Sequence, residues 1–432
     1  MEYLYTERAH LMCPGMSFGI TAEVSAPFDE KRIKDSFAVL AQAHPFLKAL
    51  LGHDRRSNAY YYDITEISKT GLIIKKKMLA DLEDAEILRE FERLTGYEWN
   101  LFNEGMLKAS AWKIGETGER TGFLLVFHHL LTDGRGALGL AQELAEYYAR
   151  GKKPEYAPER LISAENTFPD KNRMPLISRM LVNKANSDWK REKHDPPDYS
   201  RYRDFAGEYI KSNKPFHALS RRSREEVEAM TFSCRENGIT VNDLLIAQMM
   251  TEEGADKIII ASDLRSRLPG YNSGSLGNYS TAFSIEIKKK HKDIYELAKA
   301  IHKKVQKTLN DPAALYLILN CYESLEPPLL DASFISVRGC YNSKAAKFIG
   351  TMFFGFASPS GHSITNLGKT ESVSMTKAYF IPPASPAIKK TLGILTVNGE
   401  MTICTSERLH IQMGATGDKE RGFHIDSPKQ KY

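Results

Sequence analysis

The sequence predicts an α/β (α+β) protein built from two halves of similar size. Its 432 residues exceed what one ordinary hydrophobic core holds, and this length favours two or three domains. Strand-like and helix-like apolar patterns alternate over residues 17–151 and begin again after residue 215. The stretch between them is rich in proline and charge, which indicates a connection. We therefore place an N-terminal subdomain at 1–175, a connecting segment at 176–215 and a C-terminal subdomain at 216–432.

In the first half, apolar spacing and turn residues define the elements. Ile33 and Phe37 lie at helical spacing after Asp29, and the pair His44-Pro45 ends that pattern. The predicted elements are a strand at 17–26, helices at 29–43 and 84–96, strands at 106–114 and 122–127, and a helix at 134–150.

The connection and the second half show the same kinds of pattern. The pair Asn398-Gly399, between two apolar runs, is the strongest hairpin signal in the chain. We also expect a short helix inside the connection. The predicted elements are helices at 176–190 and 224–237, a helix beginning at Thr240, strands at 257–261 and 279–287, a helix at 294–309, and hairpin strands at 392–397 and 401–404.

Composition excludes several classes of protein. The net charge of +5 is small and scattered, so we expect no nucleic-acid partner. The five cysteines are far apart and lack CxxC spacing, which disfavours both a disulfide framework and a zinc cluster. The N-terminus lacks the pattern of a signal peptide, and no apolar run approaches the ~18 residues that a membrane span needs. We expect a cytoplasmic monomer with no membrane span.

The stretch from His128 to Gly134 carries the residues best suited to chemistry. It spells HHLLTDG, follows the apolar run 123–127, and precedes a helix. Histidine, with an ordinary pKa of about 6.5, is suited to proton transfer near neutral pH. We therefore predict that His129 is a general base for an acceptor that must lose a proton. Asp133 could cap the helix or pair with an arginine. Gly134 would permit a backbone conformation that other residues tolerate poorly.

Each of these residues also has an ordinary structural explanation. Adjacent histidines occur at the edge of a core, and Asp-Gly before a helix is common turn and cap chemistry. Zinc binding is disfavoured because adjacent histidines point to opposite faces of a strand, and HExxH and HxH spacings are missing. We predict no metal site. GxSxG, P-loop and strand-following GxGxxG patterns are missing as well, which disfavours other nucleophile and nucleotide sites.

With four further segments, the HHLLTDG stretch resembles the HHxxxDG acyltransferase superfamily, which includes chloramphenicol acetyltransferase, peptide condensation domains and alcohol acetyltransferases. The four segments occur in the family's order and are AHPFLKA at 43–49, GITVNDLL at 238–245, DLRSRLP at 263–269 followed by Gly277-Asn278, and ITNLG at 364–368. Lys48 replaces the arginine usual in the first, and Thr365 replaces the serine usual in the last. The DFGWG motif of the plant branch is absent, which argues against that branch.

The resemblance implies two chloramphenicol acetyltransferase-like subdomains, each a mixed sheet with flanking helices, arranged in a V around a tunnel. The second histidine is the catalytic base in that family, so His129 inherits this role and His128 is structural. Asp133 is expected to make a salt bridge that shapes the site, with Arg265 as its partner ahead of Arg267. Gly134 belongs to the same site-shaping group.

Two asparagines, Asn278 and Asn366, would line the tunnel by the same resemblance. Both are also explained as ordinary turn or strand residues, and the sequence leaves the two explanations open.

Three functions remain. The first is a stand-alone acyltransferase that uses acyl-CoA or a phosphopantetheine-linked acyl-carrier thioester as a substrate, a small-molecule hydroxyl or amine as the acceptor, and no tightly bound cofactor. The second is a free-standing condensation enzyme that forms amides between two carrier proteins, which the lack of adenylation and carrier segments in these 432 residues makes less favoured. The third is a non-catalytic partner-binding module, which the intact heptad disfavours.

Overall fold

The computed structural model describes residues 2–158, 173–268, 271, 274–289 and 291–408. Residues 159–172 of the predicted N-terminal subdomain, and Pro269 of the DLRSRLP segment, lie outside this part of the chain. The helices that are described include none long and apolar enough to cross a bilayer.

The strands within the described residues are β1 Glu2–Tyr3, β2 Ser17–Val24, β3 Ala49–Asp54, β4 Ala59–Ile64, β5 Gly71–Leu79, β6 Leu107–Ile114, β7 Arg120–His128, β8 Phe216–Arg222, β9 Lys257–Asp263, β10 Ser280–Glu286, β11 Gly361–Thr370, β12 Met375–Ile381, β13 Ile388–Val397 and β14 Glu400–Glu407.

The helices there are α1 Glu30–Ala43, α2 Ala85–Thr95, α3 Gly134–Arg150, α4 Leu176–Glu192, α5 Tyr199–Ser212, α6 Arg224–Glu236, α7 Val241–Glu253, α8 Ile294–Leu309, α9 Pro312–Leu315, α10 Leu317–Ser324, α11 Pro327–Val337 and α12 Lys344–Met352. Short 3₁₀ turns lie at Thr6–His10, Pro45–Lys48 and Arg265–Arg267.

Two large mixed sheets form the two halves of the molecule. The first has the strand order β12-β2-β7-β6-β5, in which only β5 and β6 run parallel. The second has the order β10-β9-β11-β13-β14-β8, with β11 parallel to both β9 and β13. A small antiparallel sheet, β1-β4-β3, lies beside the first. Mixed sheets with flanking helices confirm the predicted fold class.

Local sequence explains why several of the predicted elements form where they do. Thr240 and Asp243 make a reciprocal capping box at the start of α7. At the β13–β14 hairpin, Asn398 and Gly399 have φ values of 50° and 87°, which is the left-handed geometry that a two-residue hairpin favours. Gly151, with φ 72°, ends α3. The predicted hairpin and these helices are confirmed.

Two features of the fold go beyond the sequence predictions. Strand β12 comes from the second half of the chain but pairs with β2 in the first sheet, so one strand crosses between the halves. The connecting segment contains α5 as well as the expected α4, and α4 packs against α12. The chain bounds assigned to the two subdomains stay a prediction.

The N-terminal arm is fixed by a buried ion pair. Arg8, in the 3₁₀ turn Thr6–His10, donates from Nε to both carboxylate oxygens of Asp331 at 3.1 Å and from Nη2 to Oδ2 at 2.6 Å. Both side chains are almost fully buried. The turn therefore packs against α10 and α11, which belong to the second half.

Replacing Asp331 by asparagine should lower the free energy of unfolding by about 3–5 kcal/mol, because the Arg8 charge would stay buried without its counter-charge. Urea unfolding measures the difference. Asp188→Asn is the matched control, since Asp188 pairs with Lys184 on the surface of α4 and its loss should change the stability little. Equal effects of the two substitutions would contradict this role for Asp331.

Candidate active site

The HHLLTDG stretch lies where β7 ends and α3 begins. Strand β7 is buried between β2 and β6, so its C-terminal end is rigidly placed. The turn that follows is closed by Leu131, whose N–H donates to the His128 carbonyl at 2.9 Å. Leu130 and Leu131 are both fully buried. The segment that carries both histidines is therefore held by the core on either side.

The His128 ring is turned into the protein. Its Nδ1 accepts a hydrogen bond from the Leu130 N–H at 3.2 Å, so this nitrogen carries no proton in the neutral ring. Its Nε2 lies 3.9 Å from Oε1 of the buried Glu98, and the Trp99 ring contacts it edge-on. A cavity of about 40 Å³ adjoins His128 and Glu98, which is enough for the one water that could bridge this distance. Both ring nitrogens thus face the protein.

The His129 ring is oriented by one side chain, Asn278. The Asn278 Nδ2 donates to the main-chain carbonyl of His129 at 2.5 Å, and its Oδ1 lies 2.7 Å from His129 Nδ1. Because a carbonyl accepts only, the amide orientation is fixed, and its Oδ1 must accept from an Nδ1–H. The neutral ring therefore carries its proton on Nδ1. The lone pair on Nε2 takes part in no hydrogen bond among the described residues.

The Asp133 carboxylate joins the two halves of the molecule. Its Oδ1 accepts from the main-chain N–H groups of Arg135 and Gly136, both at 3.0 Å, which caps α3. Arg265 of the second half donates from Nη2 to Oδ1 at 2.8 Å and from Nη1 to Oδ2 at 3.0 Å. The Tyr279 N–H donates to Oδ2 at 2.8 Å. The cap and the salt bridge, which the sequence offered as alternatives, are both present.

The loop that contains Asn278 is held against the motif by its neighbours. The Gly277 carbonyl accepts from the Asp133 N–H at 3.1 Å. Gly277 has φ +123°, a conformation that residues with a Cβ rarely adopt. This single glycine lets the Gly277 carbonyl, the Asn278 amide and the Tyr279 N–H all face the segment from His129 to Asp133.

The reason given for Gly134 from sequence was wrong. Gly134 does not have a positive φ, so no unusual backbone conformation is involved. A Cβ at this position would instead lie 2.7 Å from Cδ2 of Leu367 on β11. The glycine thus leaves room for the Leu367 side chain of β11 to pack against the start of α3.

Burial and the neighbouring polar groups change the pKa of His129 in opposite directions. Burial lowers the pKa of His129, whereas the Asp133 carboxylate and the Asn278 hydrogen bond raise it, and the net pKa lies below the ordinary value. Burial also disfavours the charged form of Arg265, but the carboxylate of Asp133 more than compensates and raises its pKa. Arg265 is thus a permanent cation, and His129 is neutral near pH 7.

Sequence reasoning missed two residues that contact His129. The His10 ring stacks on it with centroids 4.3 Å apart and planes 17° from parallel. The Phe18 ring approaches edge-on at 5.1 Å. Neither belongs to a recognisable motif, although Phe18 faces Phe127 across the β2–β7 ladder. Pairing of β2 with β7 places Phe18 next to the end of β7, and this pairing is what could have pointed to Phe18.

Two other expected residues lie elsewhere. Arg267 donates to the Leu309 carbonyl at 2.9 Å, so it is not a partner of Asp133. The side-chain Oδ1 of Asn366 accepts from the Gly368 N–H at 2.8 Å within β11, next to the Leu367 that approaches Gly134. A place for Asn366 in a tunnel wall stays a prediction. Among the described residues no group of three or more His, Cys, Asp or Glu side chains could hold a metal ion.

Comparison with known proteins identifies the architecture. No family model and no curated protein matches the sequence. Solved structures do match over nearly the whole chain. Polyketide synthase associated protein 5 from Mycobacterium tuberculosis is 15% identical with a TM-score of 0.56, over 95% of this chain and 93% of that one. The first condensation domain of the calcium-dependent antibiotic synthetase is 12% identical with a TM-score of 0.57, over 94% and 91%.

The chain has the condensation-domain fold. A third match, the starter condensation domain of rhizomide synthetase, is 8% identical with a TM-score of 0.54, over 94% of this chain and 88% of that one. These likenesses confirm the two-subdomain fold that the resemblance implied. At such identities they show the fold alone, so the roles of His129 and its neighbours stay predictions.

Replacing Arg265 by methionine should lower the free energy of unfolding by about 3–5 kcal/mol, because Asp133 would stay buried without its counter-charge. Chemical denaturation checks this. Arg267→Met is the control, since Arg267 is exposed and donates to the Leu309 carbonyl rather than to a buried carboxylate, and it should change the stability little. If Arg267→Met were as damaging as Arg265→Met, the Asp133 pairing would not be what joins the halves.

Proposed function

We propose that this chain is an acyltransferase in which His129 is the general base. The single observation that carries the proposal is the Asn278 clamp on His129 Nδ1. It leaves the Nε2 lone pair of a neutral imidazole as the proton acceptor. His128, whose Nδ1 lone pair is already used by a main-chain N–H, is unsuited to that role.

The proposed reaction moves an acyl group from a thioester to a hydroxyl or an amine. The acceptor attacks the thioester carbonyl carbon while His129 Nε2 removes its proton. The tetrahedral intermediate then collapses, the C–S bond breaks, and the imidazolium returns the proton to the departing sulfur. The products are an ester or amide and a free thiol, and the base is regenerated without any covalent enzyme intermediate.

The solved neighbours support a thioester donor. The rhizomide starter condensation domain was solved, as a variant, in complex with C8-CoA and Leu-SNAC. We infer that this chain likewise takes its acyl group from acyl-CoA or from an acyl-carrier protein. The donor is then a substrate, and the acceptor is a small molecule.

Replacing His129 by alanine should lower kcat by two to four decades, the usual contribution of a positioned general base. The rate of thiol release from a panel of acyl-CoA donors, with mixed alcohol and amine acceptors, measures kcat. The exposed thiol of Cys340 reacts with the thiol reagent as well and adds a constant background that is subtracted. The control is His302→Ala, because His302 pairs with Asp243 in the second half and touches none of the site residues. Undiminished turnover by a folded His129→Ala protein would reject this mechanism.

A parallel donor comparison separates the two enzymatic proposals. We expect transfer from acyl-CoA, with a hydroxyl or simple amine acceptor, if the chain is a stand-alone acyltransferase. Transfer that occurs only from acyl-carrier proteins to carrier-bound amines would favour condensation, a proposal that the fold of the calcium-dependent antibiotic synthetase domain supports. Mass spectrometry of the product identifies the ester or amide directly.

No transfer from either donor class, together with a stable complex with another protein, would instead favour the partner-binding module.

A further inference from the structure

We propose that His10 is a positioning residue of this site, whose ring covers one face of His129 and keeps water from it. The proposal rests on the proposed function, because it assigns a task to His10 in the action of His129. It starts from the near-parallel stack of the two rings, whose centroids are 4.3 Å apart. At that distance no water layer fits between them.

The position of His10 is built into the fold. It is the last residue of the 3₁₀ turn Thr6–His10, and Arg8 of the same turn is fixed by the buried bidentate pair with Asp331. The Arg8 guanidinium also lies over the Tyr60 ring, 5.1 Å from its centroid. An ion pair buried this completely holds the turn, and with it the His10 ring, in one place.

Three contacts therefore surround the His129 ring. His10 covers one face by stacking, Phe18 contacts the ring edge-on at 5.1 Å, and Asn278 holds Nδ1. With these contacts in place, ring rotation is blocked and Nε2 keeps one direction. Positioning of this kind is what a general base requires to meet its proton.

His10 itself stays uncharged in this arrangement. Burial lowers its pKa well below the ordinary value, and the neighbouring His129 and His128 lower it further. The charged or titratable groups that face His129 are then His10, His128, and Asp133 with its partner Arg265. Among these Asp133 favours the protonated form of His129, while burial, to which the His10 ring contributes, opposes it.

Loss of the His10 ring should raise the pKa of His129. Removing the His10 ring admits water to His129, so the pKa of His129 should rise towards its ordinary value. A base works in its unprotonated form, so the low-pH limb of the kcat profile should move to higher pH. A rise of about one pH unit would reduce the unprotonated fraction about tenfold at acidic pH.

The test compares His10→Ala with His10→Phe, because phenylalanine restores an apolar ring over the same face. The ¹³Cε1 signal of His129, assigned through a His129→Gln variant, reports its pKa without any substrate. We expect His10→Ala to raise this pKa and His10→Phe to restore it close to the original value. His194→Ala is the control, since that ring packs against Tyr341 and makes no contact with His129.

The same variants are then assayed over pH with whichever donor the wild-type protein uses. A matching shift of the low-pH limb of kcat supports the proposal. An unchanged His129 pKa in His10→Ala, or a shift that His10→Phe does not reverse, would overturn it. If the pKa shifts but neither the wild-type protein nor any variant transfers an acyl group, the proposed function fails, and only the shielding of His129 from water by His10 is supported.

Discussion

The buried carboxylate of Asp133 is the interaction on which the site depends. It caps the helix that follows HHLLTDG, accepts two hydrogen bonds from Arg265, and accepts one from the main-chain N–H of Tyr279. A carboxylate this deeply buried is tolerated only when such donors surround it. Because the cap belongs to the first sheet's half and the other donors to the second, the first half folded alone would leave the carboxylate without the donors of Arg265 and Tyr279.

The orientation of His129 follows from that contact. Pairing of Tyr279 with Asp133 brings the adjacent Asn278 against the histidine, where its amide contacts both the main chain and Nδ1. One half of the molecule thus supplies His129, the proposed base, and the other half sets which of its nitrogens carries the proton. A site assembled in this way exists only when the two halves are docked, which ties the proposed activity directly to the integrity of the interface.

The sequence predicted those parts of this arrangement that depend on short, contiguous stretches of the chain. The apolar run before His128 and the Asp-Gly pair after it indicate a buried strand, a turn and a capped helix, and the structure has all three. Arg265 was expected opposite Asp133 by family resemblance, and the structure places it there. The His10 stack and the crossing of β12 into the first sheet were missed, because each depends on contacts between segments more than 100 residues apart. Gly134 shows a third limit: the local pattern suggested an unusual backbone conformation, whereas the glycine instead lies close to the Leu367 side chain on β11.

Asn278 holds neutral His129 with its proton on Nδ1 and its lone pair on Nε2. Long-range ¹H–¹⁵N correlation spectra of the histidine ring, recorded at a pH where the ring is neutral, measure the protonation of each nitrogen directly. We predict a protonated Nδ1 and an unprotonated Nε2 in the wild-type protein, and a mixture of both tautomers in Asn278→Ala. A wild-type ring with its proton on Nε2 would contradict it.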